Sequence, residues 1–317
     1  MNNDFEILEV TDLDEAKKWW NIFSPAQTIY DFWDFRYIHF KYFNTELRFF
    51  VGFLNKKPIG LLPLQFDKEK QVLQFFGGIN MECNHVFIDE NYTEFEDLFY
   101  QSLDKNFCLT NISSKKLSPF KESNFIEQDK RFFLDLSTFT DIEDYYNKHF
   151  SRKSKNNLKS QFRKILANNL EVLEANLIDL DLLFDYNLKK YGSESTFLKP
   201  FRKDIYRDLV QLKDVGVEFY TFLVGGKKQG VSLALNYKKD FSRRLFGVSP
   251  DGVSNLWKFI IIRNIEKSKQ LELDTFDIGT GDYGWKESWN FSSEYQYMYV
   301  DKNLNITADK IYNIGLN

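Results

Sequence analysis

The segment spanning residues 277–290, DIGTGDYGWKESWN, brings a phenol and an ammonium close together along the chain. Tyr283 and Lys286 are three residues apart, so they share one face of the short helix that we predict over Tyr283–Trp289. The preceding Gly279-Thr280-Gly281 turn lets the backbone approach a ligand closely. A phenol and an ammonium at the C-terminal end of a strand suit proton transfer and ligand binding in an open α/β sheet. On spacing alone, a structural loop with a packed tryptophan is an equal alternative.

A second segment, residues 151–164 with the sequence SRKSKNNLKSQFRK, holds six basic residues and no acidic one. Apolar residues recur in and just after it at the spacing of a helical stripe: Leu158, Phe162, Ile165 and Leu166. Another face of the same predicted helix carries four cations: Arg152, Lys155, Lys159 and Arg163. Such a face can bind the phosphates of a nucleotide or of a lipid-linked substrate. The alternative is a solvated amphipathic helix.

A third segment, residues 247–255 with the sequence GVSPDGVSN, lies between a predicted strand and an apolar helix. Backbone N–H groups at the start of that helix can receive a pyrophosphate. The alternative is a plain Pro-Asp-Gly turn.

These segments depend on strands that the chain contains twice. Residues 48–77 align without a gap with residues 218–247, and the matches include Lys57 with Lys227, Gly60 with Gly230 and Gly77 with Gly247. Each copy predicts three antiparallel strands joined by short polar turns. Any two such meanders of similar length align to some extent, but the matching turn positions favour a true duplication.

The remaining elements predict a mixed α/β pattern and two domains. After the second meander we predict a helix and two strands: Val253–Lys269, Leu273–Ile278 and Glu294–Val300. In the first half we predict two helices, Asp12–Phe23 and Ile29–Phe43. We also predict two strands there, Asn84–Ile88 and Arg131–Leu136. We expect an N-terminal domain over residues 1–145 with a structural role and an active C-terminal domain over residues 146–317.

Composition excludes several classes of protein. The 317 residues carry a net charge of −4, so no overall basicity points to DNA. Cys83 and Cys108 are too few for a disulfide framework or a cysteine-based zinc site. No apolar run approaches the roughly 18 residues of a membrane span, and the acidic start does not resemble a signal peptide, so we expect a cytoplasmic protein. The chain lacks the GxSxG, Walker-type and HExxH motifs of several hydrolases and nucleotidases.

The first two segments resemble the CelD/BioF2-like group of bacterial acetyltransferases, relatives of the FemAB-type aminoacyl transferases in the GNAT superfamily. The basic helix of that group begins Ser-x-Lys-x-Arg-x-Asn-hydrophobic, and the matching residues here are Ser151–Leu158. Its Asp-hydrophobic-Gly-x-Gly turn and Tyr-Lys-x-x-Trp motif match Asp277–Gly281 and Trp285–Trp289. The resemblance implies tandem duplicated GNAT-like domains, each with a central, mostly antiparallel sheet flanked by helices.

The resemblance also implies an N-acyltransferase. An acyl group would pass from acyl-CoA, or from an acyl carrier protein, to an amine without a covalent enzyme intermediate and without a metal. The acceptor would be a small molecule, a sugar or a lipid precursor in envelope or polysaccharide synthesis.

Particular residues receive roles from this resemblance. A backbone N–H around Phe246–Val248 would bind the donor carbonyl, Tyr283 would protonate the leaving group, and Lys286 would hold a substrate phosphate or carboxylate. The expected catalytic residues are Asp277, Tyr283 and Lys286. The expected donor-binding residues are Phe246, Gly247, Val248, Ser249, Gly252, Val253 and Ser254. The expected substrate-binding residues are Arg152, Lys155, Lys159, Trp285 and Trp289.

Three departures from the group's pattern leave other functions open. Lys155 stands where arginine is usual, Trp285 stands where tyrosine is usual, and residues 249–255 lack the usual pyrophosphate loop of acetyltransferases. A FemAB-type transferase that uses aminoacyl-tRNA is one alternative, although no coiled-coil arm is evident. A binding protein that kept the fold and lost the chemistry is the other.

Overall fold

A computed structural model describes residues 4–104, 106–113, 125–281, 284–301 and 304. The chain forms two compact units, the first from residues 1–26, 30–131 and 293–317 and the second from residues 27–29 and 132–292. The main segment of the second unit thus begins at residue 132, ahead of the domain border that we predicted after residue 145, and most of the last strand groups with the first unit. The assignment of residues 1–145 and 146–317 as domains stays a prediction.

Strands and helices alternate irregularly along the chain, as a mixed α/β fold requires. The strands are β1 Phe5–Val10, β2 Thr45–Leu54, β3 Lys57–Asp67, β4 Val72–Phe75, β5 Phe87–Ile88, β6 Cys108–Ser113, β7 Ile126–Asp135, β8 Leu170–Glu174, β9 Gly216–Val224, β10 Lys227–Tyr237, β11 Asp240–Val248, β12 Thr275–Thr280 and β13 Ser292–Val300. The α-helices are α1 Leu13–Phe23, α2 Trp33–Phe40, α3 Glu96–Gln101, α4 Ile142–His149, α5 Arg152–Ala167, α6 Leu177–Tyr191, α7 Pro200–Leu209, α8 Leu256–Gln270 and α9 Trp285–Ser288.

Each unit is built on a sheet. In the first unit the order is β1-β2-β3-β4, with β5 paired to β3, and β6 pairs separately with β13. In the second unit the order is β12-β11-β10-β9-β8, antiparallel except for the parallel pair β11–β12. Within the described residues, no helix has the length and hydropathy of a membrane span.

Side-chain caps explain where two predicted helices begin. The Asp12 carboxylate accepts the N–H of Glu15 at 2.9 Å ahead of α1. The Ser151 hydroxyl accepts the N–H of Ser154 at 3.2 Å ahead of α5. These bonds satisfy amide groups that the first helical turn leaves without a partner. Both helix starts predicted from sequence are confirmed.

Other predicted elements are shorter in the structure. The helix predicted over Ile29–Phe43 is reduced to α2 after a short 3-10 turn, and the strand predicted over Asn84–Ile88 is reduced to β5. Asn84 lies outside β5 and donates its side-chain amide to the carbonyls of Met81 and Thr110, at 3.0 and 2.9 Å. The helix predicted over Tyr283–Trp289 is limited to the single turn of α9.

The first hairpin of the two meanders has the same register in both copies. Both turns place two residues at positive φ, Asn55 and Lys56 in one and Gly225 and Gly226 in the other. Both pairings then shift by one residue at the same aligned position, which leaves one extra residue in β3 and one in β10. The extra residues are Ile59 and Gln229.

The second hairpin differs between the copies. Asp67 pairs with Val72 across a four-residue loop, whereas Tyr237 pairs with Asp240 across a two-residue loop. Strand β4 has only 4 residues and β11 has 9. The gapless alignment of Phe76 with Phe246 therefore joins a residue beyond β4 to a residue inside β11.

The core of the second unit lies against helix α8. This helix is apolar on most sides, and Ile260, Ile261 and Ile265 are fully buried. They pack in one cluster with Phe241 of β11 and Phe276 of β12. Burial on this scale holds the two parallel strands rigidly in place where they meet.

Candidate functional site

Strands β11 and β12 separate from each other in the middle of the sheet. Their parallel pairing ends at Ser242 and Asp277, although β11 continues to Val248 and β12 to Thr280. The two strand ends therefore diverge and leave a wedge-shaped opening on the C-terminal side. This opening is the candidate site.

A bulge in β11 explains the divergence. Ala234 pairs with Arg243 and Leu233 pairs with Leu245, which leaves Arg244 as an extra residue. Such a bulge bends its strand and increases the local twist. Exposure changes at the same place, because Ser242 is only 1% exposed while every residue of 243–249 is half-buried. The bulge thus moves the end of β11 away from β12.

The backbone of β11 points two N–H groups into this opening. Ser249 donates its N–H to the carbonyl of Gln229 in β10, at 2.8 Å. Because neighbouring N–H groups point to opposite sides along an antiparallel strand, Gly247 also faces β10. The N–H groups of Phe246 and Val248 therefore face the opening. They are placed to bind a carbonyl oxygen or an extended amide chain.

Gln229 also fixes the loop that leads from β11 to α8. Its side-chain oxygen accepts the N–H of Val253 at 2.7 Å, and its side-chain amide donates to the carbonyl of Val224 at 3.0 Å. Gly252 donates its N–H to the carbonyl of Ser249 at 3.0 Å, which closes the loop. Sequence reasoning missed Gln229, whose role comes from its place as the extra residue of the β10 bulge.

The first turn of α8 presents free backbone donors. Asn255, just ahead of the helix, has a left-handed φ of 66° and gives no side-chain cap. Within the described part of the chain, the N–H groups of Ser254, Asn255 and Trp257 donate no hydrogen bond. The positive end of a 15-residue helix with free N–H groups is suited to a phosphate.

The predicted residues Asp277 and Lys286 hold the turn at the end of β12. Asp277 is fully buried, and its carboxylate accepts the N–H of Gly279 at 2.8 Å. The Lys286 ammonium is 1% exposed and donates to the carbonyls of Gly279 and Thr280 at 2.8 and 3.0 Å. It also lies 4.9 Å from the centre of the Phe132 ring. These contacts position the backbone of the turn. A direct contact of Lys286 with substrate stays a prediction.

Tyr283 lies outside the described residues, so its predicted role as an acid stays a prediction. Arg243 is a residue of the opening that sequence reasoning missed. Its guanidinium donates to the carbonyl of Ile278 in β12 at 3.2 Å and lies 4.6 Å from the centre of the Phe246 ring. This side chain thus bridges the diverging strands. Two adjacent arginines in a buried strand were the signal available in the sequence.

The predicted tryptophans form a cluster beside the turn. Ring centres of Trp257 and Trp285 are 5.3 Å apart, and Trp289 lies 6.0 Å from Trp257. Trp289 is 5% exposed, and its carbonyl accepts the Tyr145 hydroxyl at 2.9 Å, so it is part of the core. Trp285 is half-buried at the edge of that core. Of the two, Trp285 is the one exposed to a ligand.

The aromatic layer beneath the turn is uncharged near neutral pH. Burial raises the pKa of the Tyr145 phenol well above its ordinary value. Burial and the nearby Lys148 ammonium lower the pKa of His149. The ring centres of Tyr145 and His149 are 4.8 Å apart.

The segment just before the basic helix contacts the segment just after α9. The Phe150 ring, just before α5, lies 5.7 Å from the Trp289 ring, and Asn290 donates its side-chain amide to the carbonyl of His149. Lys155 and Lys159, however, point to α4, where they bind Asn147 at 2.6 Å and both carboxylate oxygens of Glu143 at 2.5 and 2.7 Å. Arg152 is exposed. The predicted face of four cations is therefore divided between α4 and solvent.

Comparison with known proteins gives the family of this region. The model of the acetyltransferase (GNAT) domain, Acetyltransf_6, matches residues 152–287, from the start of α5 into α9. All the elements of the candidate opening lie within this range. No curated protein sequence matches the chain significantly.

Three solved structures share the fold over nearly the whole chain. L-PGS from Bacillus licheniformis is 15% identical, with 98% of this chain and 99% of that chain covered and a TM-score of 0.62. FemX is 10% identical, with coverages of 98% and 100% and a TM-score of 0.63. A tandem GNAT protein from the clavulanic acid biosynthesis pathway is 9% identical, with coverages of 93% and 98% and a TM-score of 0.51. At these identities the likeness establishes the fold alone, and the tandem GNAT-like architecture predicted from sequence is confirmed.

Proposed function

We propose that the second unit is a GNAT-type acyltransferase that transfers an acyl group from a thioester to an amine. The observation that supports this most is the opening between β11 and β12, where two backbone N–H groups face a cleft. The acceptor would be an amine on a small molecule, a sugar or a lipid precursor, as in envelope or polysaccharide synthesis. The donor would be acyl-CoA or an acyl carrier protein.

The donor fits the opening in three parts. Its phosphate would bind the free N–H groups at the first turn of α8. Its pantetheine arm would lie along β11, where the N–H groups of Phe246 and Val248 can pair with it as an added strand would. The thioester carbonyl would receive one of these N–H groups, which stabilises the negative charge that develops on oxygen.

The chemical step needs no covalent enzyme intermediate. The amine nitrogen attacks the thioester carbon, a C–N bond forms, and the C–S bond breaks. The thiolate takes a proton, for which Tyr283 is our candidate donor, while the amine loses a proton to water. Asp277 and Lys286 would keep the turn in the geometry that this step requires.

We assign the chemistry to the second unit because the equivalent space in the first unit is filled. There the chain after β4 turns back onto β6, where Asn84 donates its N–H to Asn111 at 2.9 Å and accepts that of Ser113 at 3.1 Å. Arg36, which is fully buried, donates to the Asn84 side chain at 2.8 Å. The N-terminal half would thus have a structural role.

Thermal unfolding with acetyl-CoA, long-chain acyl-CoA and free CoA tests the donor. A donor at about 100 times its Kd should stabilise the fold by about 2.7 kcal/mol. A shift that changes with acyl length, followed by amine acylation, supports the proposal. Binding without acylation of any amine would instead indicate a binding protein, and transfer from an aminoacyl ester alone would indicate a tRNA-dependent enzyme. Either result overturns the proposal.

A pair of glutamine variants connects this assay to the opening. Gln229→Ala removes the acceptor of the Val253 N–H, so we expect the KM for the donor to rise about tenfold. This rise corresponds to a loss of ~1.4 kcal/mol in binding free energy. Gln211→Ala removes an exposed side chain that donates to the carbonyl of Arg207 at 3.0 Å in the same unit. Equal KM values for the two variants would remove the 249–253 loop from the donor site.

A further inference from the structure

Helix α5 has an outer basic face that the proposed chemistry does not use. This face consists of Arg152, Lys153, Arg163 and Lys164, all exposed. None of the four forms an ion pair with another described residue, and α5 itself contains no acidic side chain. By contrast, Lys159 of the same helix is paired with Glu143. The outer basic face is therefore a patch of four positive charges in a chain of net charge −4.

Helix α5 packs against α8 through side chains that do not belong to this face. The α5 side chain of Gln161 accepts a hydrogen bond from the Lys258 ammonium at 3.3 Å, and Lys258 belongs to the first turn of α8. Phe162 packs edge-on against Phe259 of the same helix, with ring centres 5.4 Å apart. A partner docked on the outer basic face would therefore be separated from the end of α8 that we propose for the donor phosphate by the thickness of α5, about 10 Å.

The dimensions of the face favour a macromolecular partner. Arg152 and Arg163 are eleven residues apart, which corresponds to about 16 Å along a helix. A single phosphate cannot contact both ends of such a face. The exposed residues between the two basic pairs are Ser154, Asn156 and Asn157. None of them is aromatic, so the face offers no platform for a nucleic-acid base, and its four positive charges suit the acidic surface of a protein.

We propose that the outer basic face docks an acidic acyl carrier protein, which delivers the thioester into the opening on its phosphopantetheine arm. This inference rests on the proposed acyl transfer and names the donor for it. Electrostatic attraction would guide the carrier to α5, and the arm would then reach the N–H groups of α8 and β11. The transfer step and its proton balance remain those given above.

Charge reversal at the far end of the face tests the proposal. For the double variant Arg163→Glu/Lys164→Glu, we expect the KM for an acylated, purified acidic carrier protein to rise at least about tenfold. The KM for acyl-CoA should stay unchanged, because neither residue lies at the opening. The matched control is Lys189→Glu/Lys190→Glu, which reverses two exposed lysines near the end of α6 in the same unit. That control should change neither KM.

Three results would overturn the inference. An equal rise in KM for acyl-CoA would place the nucleotide of coenzyme A on this face. Unchanged use of the carrier, combined with lost binding to transfer RNA or to anionic phospholipid vesicles, would assign the face to one of those polyanions. A KM for the carrier that does not rise between about 0.05 and about 0.2 M salt would exclude electrostatic docking.

Binding separates a failure of docking from a failure of the proposed function. If no donor supports acyl transfer, the proposed function is refuted, and docking is then tested alone by fluorescence anisotropy of labelled holo carrier protein. Binding that is lost in Arg163→Glu/Lys164→Glu and kept in the lysine control supports the docking surface. Equal binding by both variants, or binding by neither variant nor the unmodified chain, refutes it.

Discussion

The Lys286→Met substitution separates a positioning role for the strand-end turn from an ordinary contribution to the core. In the structure the Lys286 ammonium donates to the carbonyls of Gly279 and Thr280 and lies against the Phe132 ring. Methionine keeps most of the apolar stem but removes the charge and the hydrogen bonds to Gly279 and Thr280. The turn would then lose the bonds that fix its carbonyls. We expect kcat to fall by at least about a hundredfold, since displacements of about 1 Å near the reacting atoms have effects of that size.

The stability loss follows from the same contacts. Two hydrogen bonds to a charged group contribute about 1.5–3 kcal/mol each, and a cation–π contact contributes about 1 kcal/mol. Part of this sum is offset, because the variant no longer keeps an ammonium out of water. We therefore expect the free energy of unfolding to fall by about 3 kcal/mol, measured by urea denaturation.

Lys269→Met is a matched control in the same unit. The Lys269 ammonium donates to the carbonyls of Leu136 and Phe139, both at 2.9 Å, and lies 5.3 Å from the centre of the Phe139 ring. The set of contacts is the same, but it lies at the last turn of α8, at the opposite end of that helix from the opening. Because Lys269 is only half-buried, we expect a loss of about 1–2 kcal/mol and no change in kcat.

Comparing kcat of the two variants separates a positioning role of Lys286 from an effect of lost stability. Acyl transfer is measured at a temperature where both variants are more than nine-tenths folded, as monitored by circular dichroism. A Lys286→Met protein that is destabilised but turns over at the rate of Lys269→Met would refute the positioning role. A full loss of kcat in Lys269→Met would show that stability alone governs activity.

Three further predictions concern the rest of the fold. Gly247→Val should destabilise the second unit by about 1–3 kcal/mol in urea, since a Cβ there would lie 2.9 Å from Leu183; unchanged stability would mean that α6 is not held against β11. Arg36→Met should cost the first unit at least about 3 kcal/mol, because the buried guanidinium serves four acceptors; a smaller loss would contradict its role in closing that unit. Burial raises the pKa of Cys83 and of Cys108 to about 11, so both stay protonated thiols at about pH 8. They should therefore react with a thiol reagent only as fast as the protein unfolds. Rapid reaction of the native protein would contradict this.

Features with a local physical cause could be predicted from the sequence. The starts of α1 and α5 follow from the caps Asp12 and Ser151 and from the helical spacing of the apolar residues behind them. The first hairpins follow from turn residues that tolerate positive φ, Asn55 in one copy and Gly225 and Gly226 in the other. The strand Thr275–Thr280 and the helix Trp285–Ser288 were also predicted, although the helix is shorter than predicted, and the ligand-binding role of this segment stays a prediction.

Features that depend on the neighbouring strand could not be predicted. The bulges at Gln229 and Arg244 appear only when the register of the pairing is known. The burial of Lys286 is a second example, since the sequence shows a lysine on a helix face but not the carbonyls that surround it. A third is Lys159, whose pairing with Glu143 of α4 removes it from the predicted cationic face.

The two copies of the meander indicate why only one would retain a cleft. In each unit the third strand of the meander has a parallel contact: Leu73 of β4 forms an isolated bridge with Phe107, just before β6, and β11 pairs with β12. In the first unit β4 ends after four residues, and the chain that follows it pairs with β6 through Asn84 and Ile112. In the second unit the tighter hairpin loop and the bulge at Arg244 extend β11 past its parallel neighbour, so its N–H groups stay without a strand partner on that side. A duplicated fold can thus keep one copy as a closed scaffold and the other as an open sheet edge, and the difference lies in a hairpin loop and one extra residue.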